Sequence, residues 1–291
     1  MLLGSIEAGG TKFICSVGDE KLTILDQIRI ETTTPKSTLS KVIKYFKQFK
    51  NINSISIASF GPLDLDLNSS HFGSILKTPK LIWENVNILK KIKESLNVPV
   101  FITTDVNGSA VGEQFLLQQS EIKVSSLVYL TIGTGIGAGI IYNNHIFGLG
   151  EHPEIGHIRV VKHSDDKSFH GVCPFHDGCL EGMASGPSLK ARTNIPGEQL
   201  SMNSPIWNRI AYYLAQSVVS INLIIHPKKI ILGGSVVNDQ LIKNIKKQYV
   251  DLISDYVDTT NLNDLITKSC AVDNNSATIG NFILAKRFVN V

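Results

Sequence analysis

The chain has 291 residues, of which 43% are hydrophobic and 18% are charged, and its formal net charge is +3. This length exceeds what one compact core usually supports, and the composition is too apolar for a disordered protein, so we expect a folded α/β protein with two domains. The lysines are spread along helical faces rather than gathered in one run, which argues against a nucleic-acid-binding protein.

The N-terminal residues and the apolar runs predict neither secretion nor membrane insertion. The first ten residues, MLLGSIEAGG, reach a glycine at position 4 and contain no apolar signal-peptide core. The longest apolar runs, around 127–132 and 217–225, are interrupted or too short to span a bilayer. We therefore expect a cytoplasmic protein with reduced cysteines, in which Cys15 and Cys270 are small buried apolar residues.

The first half of the chain predicts the order βββαβαβ followed by a helix. Glycines and a Gly-Asp-Glu turn separate three apolar segments, and Leu39, Val42, Ile43 and Phe46 repeat at helical spacing. The predicted elements are strands Leu2–Glu7, Phe13–Val17 and Leu22–Ile30, helix Thr38–Phe49, strand Ile55–Ser59, a helix at about 86–96, strand Val100–Thr103 and a helix from about Asn107.

The second half predicts the same order, interrupted by an insertion at 150–203 that is rich in His, Cys, Gly and Pro. The predicted elements are strands Leu127–Ile132 and Ala138–Tyr142, a short strand near Ile146, a helix at about 205–225, strand Lys229–Leu232, a helix at about 239–256, a strand at about 267–272 and a helix at about 276–288.

This repeated order predicts two similar α/β lobes that face a ligand-binding cleft. The expected domains are residues 1–115, completed by the C-terminal helix at about 276–291, and residues 116–275 with the insertion at 150–203. The repetition concerns the pattern of elements, since the two halves share no visible residue-level repeat.

Two glycine-rich turns between predicted strands are candidate phosphate-binding loops. The first, Glu7-Ala8-Gly9-Gly10-Thr11-Lys12, offers backbone N–H groups, a hydroxyl and a positive charge. A plain β-hairpin explains it equally well. The second, Gly133-Thr134-Gly135-Ile136-Gly137, occupies the corresponding position in the second lobe and fits neither a Rossmann fingerprint nor a P-loop. Two such hairpins facing one cleft can hold a polyphosphate from both sides.

Two further turns follow predicted strands. In Thr104-Asp105-Val106-Asn107-Gly108, the Asp105 carboxylate is placed to accept a proton from a bound hydroxyl, although capping of the next helix is the simpler explanation of this segment alone. Gly233 and Gly234 follow strand Lys229–Leu232 and permit either the close approach of a nucleoside or tight packing of strand and helix.

The insertion contains a candidate metal site. Cys173, His176 and Cys179 follow a Cys-x2-His-x2-Cys spacing, and the upstream His157 completes a tetrahedral set that suits zinc. With four protein ligands the metal would be structural, and it would help to fold a polar insertion. A Cys173–Cys179 disulfide and two reduced core thiols are the alternatives.

Together these residues resemble the ROK family (repressors, open reading frames and kinases) of the actin-like sugar kinase superfamily, along essentially the whole chain. The segment from Ile6 to Phe13 is similar to the family's first phosphate motif, in the Glu-Ala variant of its bacterial fructokinases. The segments that also resemble fructokinases are Ser59-Phe60-Gly61-Pro62, Thr78-Pro79-Lys80 with Trp83, and Thr104–Gly108. Cys173–Gly182 is similar to that subgroup's zinc loop, although many ROK kinases have a third cysteine where this chain has His176.

The resemblance implies an ATP-dependent fructokinase, accepting mannose as well, with duplicated ribonuclease H-like (actin-like ATPase) lobes and the order βββαβαβα in each. Asp105 would be the general base on the sugar's primary hydroxyl. Sugar hydroxyls would be bound by Asn107, Glu154, His157 and Glu181, with His157 also a ligand of the structural Zn²⁺. The phosphates of Mg-ATP would be held by Gly9, Gly10, Thr11, Lys12, Gly133, Thr134 and Gly135, with Gly233 and Gly234 near the adenosine. Most family members have Asp where this chain has Glu7, so the contact of Glu7 with Mg²⁺ stays open.

Kinases for glucose, mannose or N-acetylmannosamine share the same core and are the nearest alternatives. From another class, the family's sugar-responsive repressors carry a helix-turn-helix ahead of the first phosphate motif, whereas this chain starts its first predicted strand at residue 2, so we expect no DNA binding. A sugar-sensing regulator without catalysis is a third alternative, against which Asp105 and both glycine loops argue. The resemblance also implies a homodimer.

Overall fold

The computed structural model of the chain describes residues 1–78, 80–272 and 275–289. The first half folds, in order, into β1 (Leu2–Ala8), β2 (Lys12–Gly18), β3 (Ile24–Glu31), α1 (Pro35–Phe46), β4 (Ile52–Ser59), α2 (Ile88–Leu96), β5 (Val100–Thr104) and α3 (Asp105–Gln119). The second half folds into β6 (Leu127–Ile132), β7 (Ile136–Tyr142), β8 (His145–Ile146), α4 (Leu180–Ala184), α5 (Gly186–Thr193), α6 (Ile206–Ile225), β9 (Lys229–Gly233), α7 (Asp239–Ile253), α8 (Leu262–Leu265), β10 (Ile266–Lys268) and α9 (Ser276–Val289).

Each half builds a mixed sheet with the same topology. The first sheet has the strand order β3-β2-β1-β4-β5, and the second has the order β10-β9-β6-β7-β8, which is the same order when it is counted from the other edge. In the first sheet β1 is antiparallel to β2 and parallel to β4, and in the second β6 is antiparallel to β7 and parallel to β9. The duplicated α/β fold expected from the sequence is therefore confirmed.

The described residues form two compact units, and the chain passes from one to the other several times. The first unit comprises Met1–Ile122, Ile146–His152 and the described residues from Ala271 onward; the second comprises Lys123–His145 and Pro153–Cys270. The boundary expected near residue 115 and the ligand-binding cleft stay predictions. No helix of the described residues combines the length and the apolar character needed to cross a bilayer.

In the first unit, helices α3 and α9 pack together, and α9 also packs against β1 and β4. Asn281 of α9 ties these elements to the sheet, because it accepts a hydrogen bond from Ser56 and donates to Ser5 and to the Ile6 carbonyl. A Cβ atom at Gly280 would overlap the carbonyl oxygen of Gly108. The backbones of the two helices are thus in direct contact, which fixes the helix that begins at Asp105.

The core of the second unit is built around α6. Its inward face buries large apolar side chains, among them Trp207, Ile210 and Leu214, which pack in one cluster with residues of the sheet and of α4 and α7. Helix α4 is part of the insertion. Since its residues pack in the same cluster as α6, the insertion is anchored to this core.

Several element boundaries differ from the prediction because polar caps decide them. Helix α1 begins at Pro35, since Thr34 Oγ1 accepts a hydrogen bond from the Ser37 N–H. Helix α3 begins at Asp105 rather than Asn107, and its cap is Thr104, so the explanation of Asp105 as a helix cap is wrong. Helices α4 and α5 inside the insertion are not predicted, and β10 ends at Lys268.

Three details complete the comparison with the sequence. Cys15 is buried as expected, but Cys270 is exposed just after β10, so its prediction is wrong. Pro79, in a segment that resembles fructokinases, lies outside the described residues. So do Asn290 and Val291, at the end of the predicted C-terminal segment.

Candidate active site and metal centre

The first glycine loop is a tight hairpin between β1 and β2. The Gly9 N–H donates to the Lys12 carbonyl oxygen at 2.9 Å, and a Cβ at Gly9 would lie 2.6 Å from that oxygen, so the turn requires glycine. Thr32 supports the turn by donating from its hydroxyl to the Gly9 carbonyl at 2.7 Å. Thr11 and Lys12 are exposed at the tip. The hairpin therefore presents a hydroxyl and an ammonium group from a braced backbone.

Glu7 and Asp105 lie at the same edge of the first sheet, where the parallel strands β1, β4 and β5 end. The pKa of Glu7 is raised to about 7, chiefly because the carboxyl group is buried and also because the Asp105 carboxylate lies near, while Lys12 partly offsets both effects. Asp105 accepts a hydrogen bond from the Val106 N–H at 2.9 Å. Two carboxyl groups at one edge, of which one holds its proton near neutral pH, form an arrangement suited to proton transfer.

Asn107 is fully buried in the first turn of α3. Its amide nitrogen donates to Thr103 Oγ1 at 3.1 Å, whereas its Oδ1 atom is buried without a hydrogen-bond partner among the described residues. A buried acceptor left without a donor is uncommon in folded proteins and is a mark of ligand or water sites.

In the second unit, the Glu181 side chain lies against the second glycine loop. Glu181 Oε2 accepts a hydrogen bond from the Ile136 N–H at 2.9 Å, and a Cβ at Gly135 would lie 2.7 Å from the same oxygen. The loop is closed further by the Gly133 N–H, which donates to the Gly135 carbonyl at 2.9 Å. Thr134 is exposed at the tip. A side chain at 135 would therefore push the Glu181 carboxylate away from its present position.

The four residues predicted to hold a metal come together in the insertion. One ligand atom from each of His157, Cys173, His176 and Cys179 lies within 4.8 Å of all the others. The Sγ atom of Cys173 is 3.8 Å from His157 Nδ1 and 3.7 Å from His176 Nδ1, and Cys179 Sγ is 3.8 Å from His157 Nδ1. Zinc bond lengths place tetrahedral sulfur and nitrogen ligands roughly 3.6 Å apart. The donor set and its spacing fit a zinc ion, and all four cysteines of the chain are free thiols.

The Cys–His cluster lies directly beside acidic residues in the chain. Cys179 caps α4, since its Sγ accepts from the Gly182 N–H at 3.4 Å, and Glu181 lies in the first turn of that helix. Glu154 and His157 flank Gly156, whose Cβ would overlap the Ile136 carbonyl oxygen. The close approach of Gly156 to β7 therefore brings the Glu154–His157 turn to the same strand end as Glu181.

Gly233 and Gly234 are both required by packing. A Cβ at Gly233 would overlap the hydroxyl of Tyr129, and Gly234 has a φ of 96°, in the region that favours glycine, while its Cβ would overlap the Ile132 carbonyl. The packing explanation of this pair is thus sufficient by itself, and contact with adenosine stays a prediction.

The structure also shows contacts of three residues to which the sequence assigned no role in the site. Lys80 lies over Gly10 of the first hairpin, with its Cε atom 2.9 Å from where a Cβ of residue 10 would be. His152 accepts a hydrogen bond at Nε2 from the Leu63 N–H at 3.1 Å. Asp166 is buried in the insertion with two arginines around it. Each lies far in sequence from its partners, so only folding brings them together.

Comparison with known proteins gives relatives along the whole chain. Residues 3–288 match the ROK family. A fructokinase from Lactococcus lactis subsp. cremoris is 46% identical over 284 residues, which cover 97% of this chain and 96% of the relative. A fructokinase from Streptococcus mutans serotype c is 44% identical over 290 residues, which cover 98% of each protein.

Solved structures agree in fold. A ROK hexokinase from Thermus thermophilus superposes with a TM-score of 0.79 at 19% identity and covers 100% of this chain and 99% of its own. A ROK family glucokinase from Streptomyces griseus, in complex with glucose and AMPPNP, superposes with a TM-score of 0.77 at 20% identity, covering 99% of this chain and 100% of its own. On its sequence match and its fold, the chain belongs to the ROK family.

Proposed function

We propose that the chain is an ATP-dependent fructokinase, which transfers the γ-phosphate of ATP to the 6-hydroxyl of D-fructose and also accepts mannose. The observation that carries this proposal is the identity of 46% and 44%, over nearly the full chain, to two fructokinases. The presence of Asp105 at the start of α3, beside the first glycine hairpin and Glu7, supports a catalytic rather than a purely regulatory protein.

Asp105 is proposed as the general base. In the transfer, the sugar oxygen forms a bond to the γ-phosphorus, the bond from that phosphorus to the bridging oxygen breaks, ADP leaves, and the hydroxyl proton moves to the Asp105 carboxylate. Asp105 lies in the first turn of α3, where the helix dipole stabilises its negative charge.

The phosphate contacts are proposed at the two glycine loops. Gly9, Gly10, Thr11 and Lys12 offer N–H, hydroxyl and ammonium donors in the first unit, and Gly133, Thr134 and Gly135 offer them in the second. Mg²⁺ bound together with ATP would supply positive charge that stabilises the negative charge developing on the phosphates. Gly233 and Gly234 are proposed to lie near the adenosine.

Sugar hydroxyls are proposed to bind Asn107, Glu154, His157 and Glu181. Carboxylates accept hydrogen bonds from hydroxyl groups, and Asn107 has a free buried acceptor, so this set suits a polyol ligand. Zinc held by His157, Cys173, His176 and Cys179 would have four protein ligands and no open position, which makes it structural. Its proposed effect is to fix the orientation of His157 and the start of α4.

We also propose that the protein acts in the cytoplasm as a homodimer. The alternatives are kinases for glucose, mannose or N-acetylmannosamine and a sugar-sensing regulator without catalysis. The sugar that the protein phosphorylates, if any, distinguishes the fructokinase from all of them. The test is ADP release from purified protein with Mg-ATP, comparing fructose, mannose, glucose and N-acetylmannosamine at equal low concentrations. Fructose should give the highest kcat/KM.

The matched variant is Asp105→Asn, which keeps the size of the side chain and removes its basicity. It should lower kcat about 10²–10⁴-fold without loss of folding, measured by circular dichroism. A different leading hexose would overturn the choice of fructose, and turnover of Asp105→Asn close to wild type would overturn the base. If zinc-loaded protein turned over none of the sugars, the sugar-sensing regulator would be favoured over the kinase.

A further inference from the structure

The side chain of Lys80 lies over the first glycine hairpin. A Cβ atom at Gly10 would lie 2.9 Å from Lys80 Cε and 3.6 Å from Lys80 Cδ, so the lysine stem crosses the space that a side chain at residue 10 would fill. Lys80 is exposed, and the ion pairs formed by the described residues do not include it. Its ammonium group is bonded to Cε, so it lies beside Gly10 of the hairpin on an exposed side chain, where a ligand can reach it.

The position of Lys80 is held by Trp83, three residues further along the chain. Trp83 is buried, and its ring packs at centroid distances of 5.4 Å from Phe13 and 5.9 Å from Phe60. Its backbone N–H donates to the Lys80 carbonyl at 2.8 Å, and its indole N–H donates to the Thr33 carbonyl at 2.9 Å. Phe13 directly follows Lys12, so this anchor fixes the Lys80 segment to the end of the same hairpin.

Thr78 adds a second restraint on the segment. Its side chain is buried, and its hydroxyl oxygen accepts from the Lys80 N–H at 3.4 Å. The neighbouring Lys77 is equally exposed, but no contact with Gly10 involves it. Lys80 thus differs from an ordinary surface lysine, whose side chain extends freely into solvent. Hydrogen bonds fix its backbone, and its aliphatic stem packs across a glycine.

The chemistry around Lys80 points to an anionic ligand with concentrated charge. Lys12 supplies a second ammonium group on the same hairpin, and the hairpin glycines bring backbone close to whatever binds there. Lysine binds phosphate as a compact point charge, and a terminal phosphate carries the highest charge density of a nucleoside triphosphate. A neutral sugar offers no charge to match.

We propose that Lys80 is a further catalytic residue, which binds the γ-phosphoryl group of ATP; this role rests on the proposed kinase function. As the bond from the sugar oxygen to phosphorus forms and the bond to the bridging oxygen breaks, negative charge spreads over the oxygens of the transferred group. The Lys80 ammonium stabilises that charge and keeps its own proton, since the hydroxyl proton goes to Asp105.

The test compares binding of ADP and of AMPPNP, a non-hydrolysable ATP analogue, by titration calorimetry with Mg²⁺ and without sugar. Lys80→Met should weaken AMPPNP binding at least tenfold and leave ADP binding within about twofold. In the kinase assay its kcat should fall about 10²–10³-fold, and Lys80→Arg should recover part of that loss. Lys77→Met is the matched control and should change neither nucleotide's affinity nor kcat.

Equal weakening of AMPPNP and ADP would overturn the γ-phosphoryl assignment, as would a change confined to the KM for the sugar. If Lys80→Met left the affinities for both nucleotides and kcat unchanged, Lys80 would be an ordinary surface lysine without a role in the site. The binding comparison needs no turnover, so it decides the role of Lys80 even if no sugar proves to be a substrate and the proposed kinase function fails. Melting temperatures of all three variants verify that each remains folded.

Discussion

Glu7 lies just before the first glycine hairpin, and its surroundings change the pKa of its carboxyl group. The side chain is largely buried at the end of β1, and burial together with the Asp105 carboxylate raises its pKa from 4.5 to about 7. The folded state therefore holds this proton to a higher pH than the unfolded chain does. Its contribution to stability is complete below pH 4.5 and is lost as the pH rises through 7.

Glu7→Gln should stabilise the protein at alkaline pH, because glutamine reproduces the neutral carboxyl group and cannot ionise. The pKa difference corresponds to about 3 kcal/mol in the free energy of unfolding at pH 8.5 and to almost nothing at pH 4.5. Urea unfolding at both pH values, without nucleotide or Mg²⁺, measures this difference. Glu31→Gln, at an exposed position on β3, is the control. Equal effects of Glu7→Gln at the two pH values would contradict the assignment.

At the scale of elements, the insertion contains a buried ion-pair network around Asp166 in addition to the Cys–His cluster. Asp166 is buried and accepts hydrogen bonds from Arg192 Nη2 at 2.9 Å, from Arg209 Nη1 at 3.1 Å and from the Tyr213 hydroxyl at 2.8 Å. Burial raises the pKa of Asp166, but the hydrogen bonds from Arg192 and Tyr213 outweigh it and hold the pKa below its ordinary value. This charged centre joins the loop around Asp166 to α5, within the insertion, and to α6, which follows the insertion, and it needs no metal.

Removal of the metal should therefore weaken sugar binding without unfolding the insertion. Protein stripped by a chelator should keep its far-ultraviolet circular dichroism, because the Asp166 centre persists, while the KM for the sugar rises at least tenfold as His157 and α4 lose their fixed orientation. Zinc addition should restore the KM. As a contrast, Asp166→Ala should cost about 3–5 kcal/mol, since it leaves Arg192 buried without its partner. Unfolding of the stripped protein would show instead that the metal holds the insertion together.

At the scale of the whole molecule, the last helix of the chain completes the first unit. Helix α9 packs on β1 and β4 and runs in backbone contact with α3, the helix that starts at Asp105. Ser276 at its start donates to the buried Glu113 of α3 at 2.6 Å. The first sheet and the helix that starts at Asp105 thus depend on residues from the opposite end of the sequence.

Gly280→Ala tests this dependence. The added Cβ would overlap the Gly108 carbonyl, which is backbone and cannot swing away, so the helices must separate. We expect a loss of about 1–3 kcal/mol in the free energy of unfolding, measured with urea. Arg287→Ala, an exposed change near the end of the same helix, should alter stability by less than about 0.5 kcal/mol. A neutral Gly280→Ala variant would show that the crossing of α3 and α9 is loose.

Much of the architecture follows from local sequence. The order of strands and helices is predicted because apolar residues alternate or recur at helical spacing between glycine-rich turns. The metal cluster is predicted because three of its four ligands lie within one short segment, Cys173–Cys179, where spacing alone limits their distances. The family follows for the same reason, since its motifs are contiguous.

The sequence by itself determined the duplicated element order, the two glycine hairpins and the Cys–His cluster, all of which depend on residues that are near neighbours along the chain. Only the tertiary structure decided the rest: Lys80 over Gly10, the arginines around Asp166 and the packing of α9 on α3. These contacts join segments far apart in sequence, and no local pattern specifies which distant side chain fills the space beside a given residue. That choice is made by packing in the folded core.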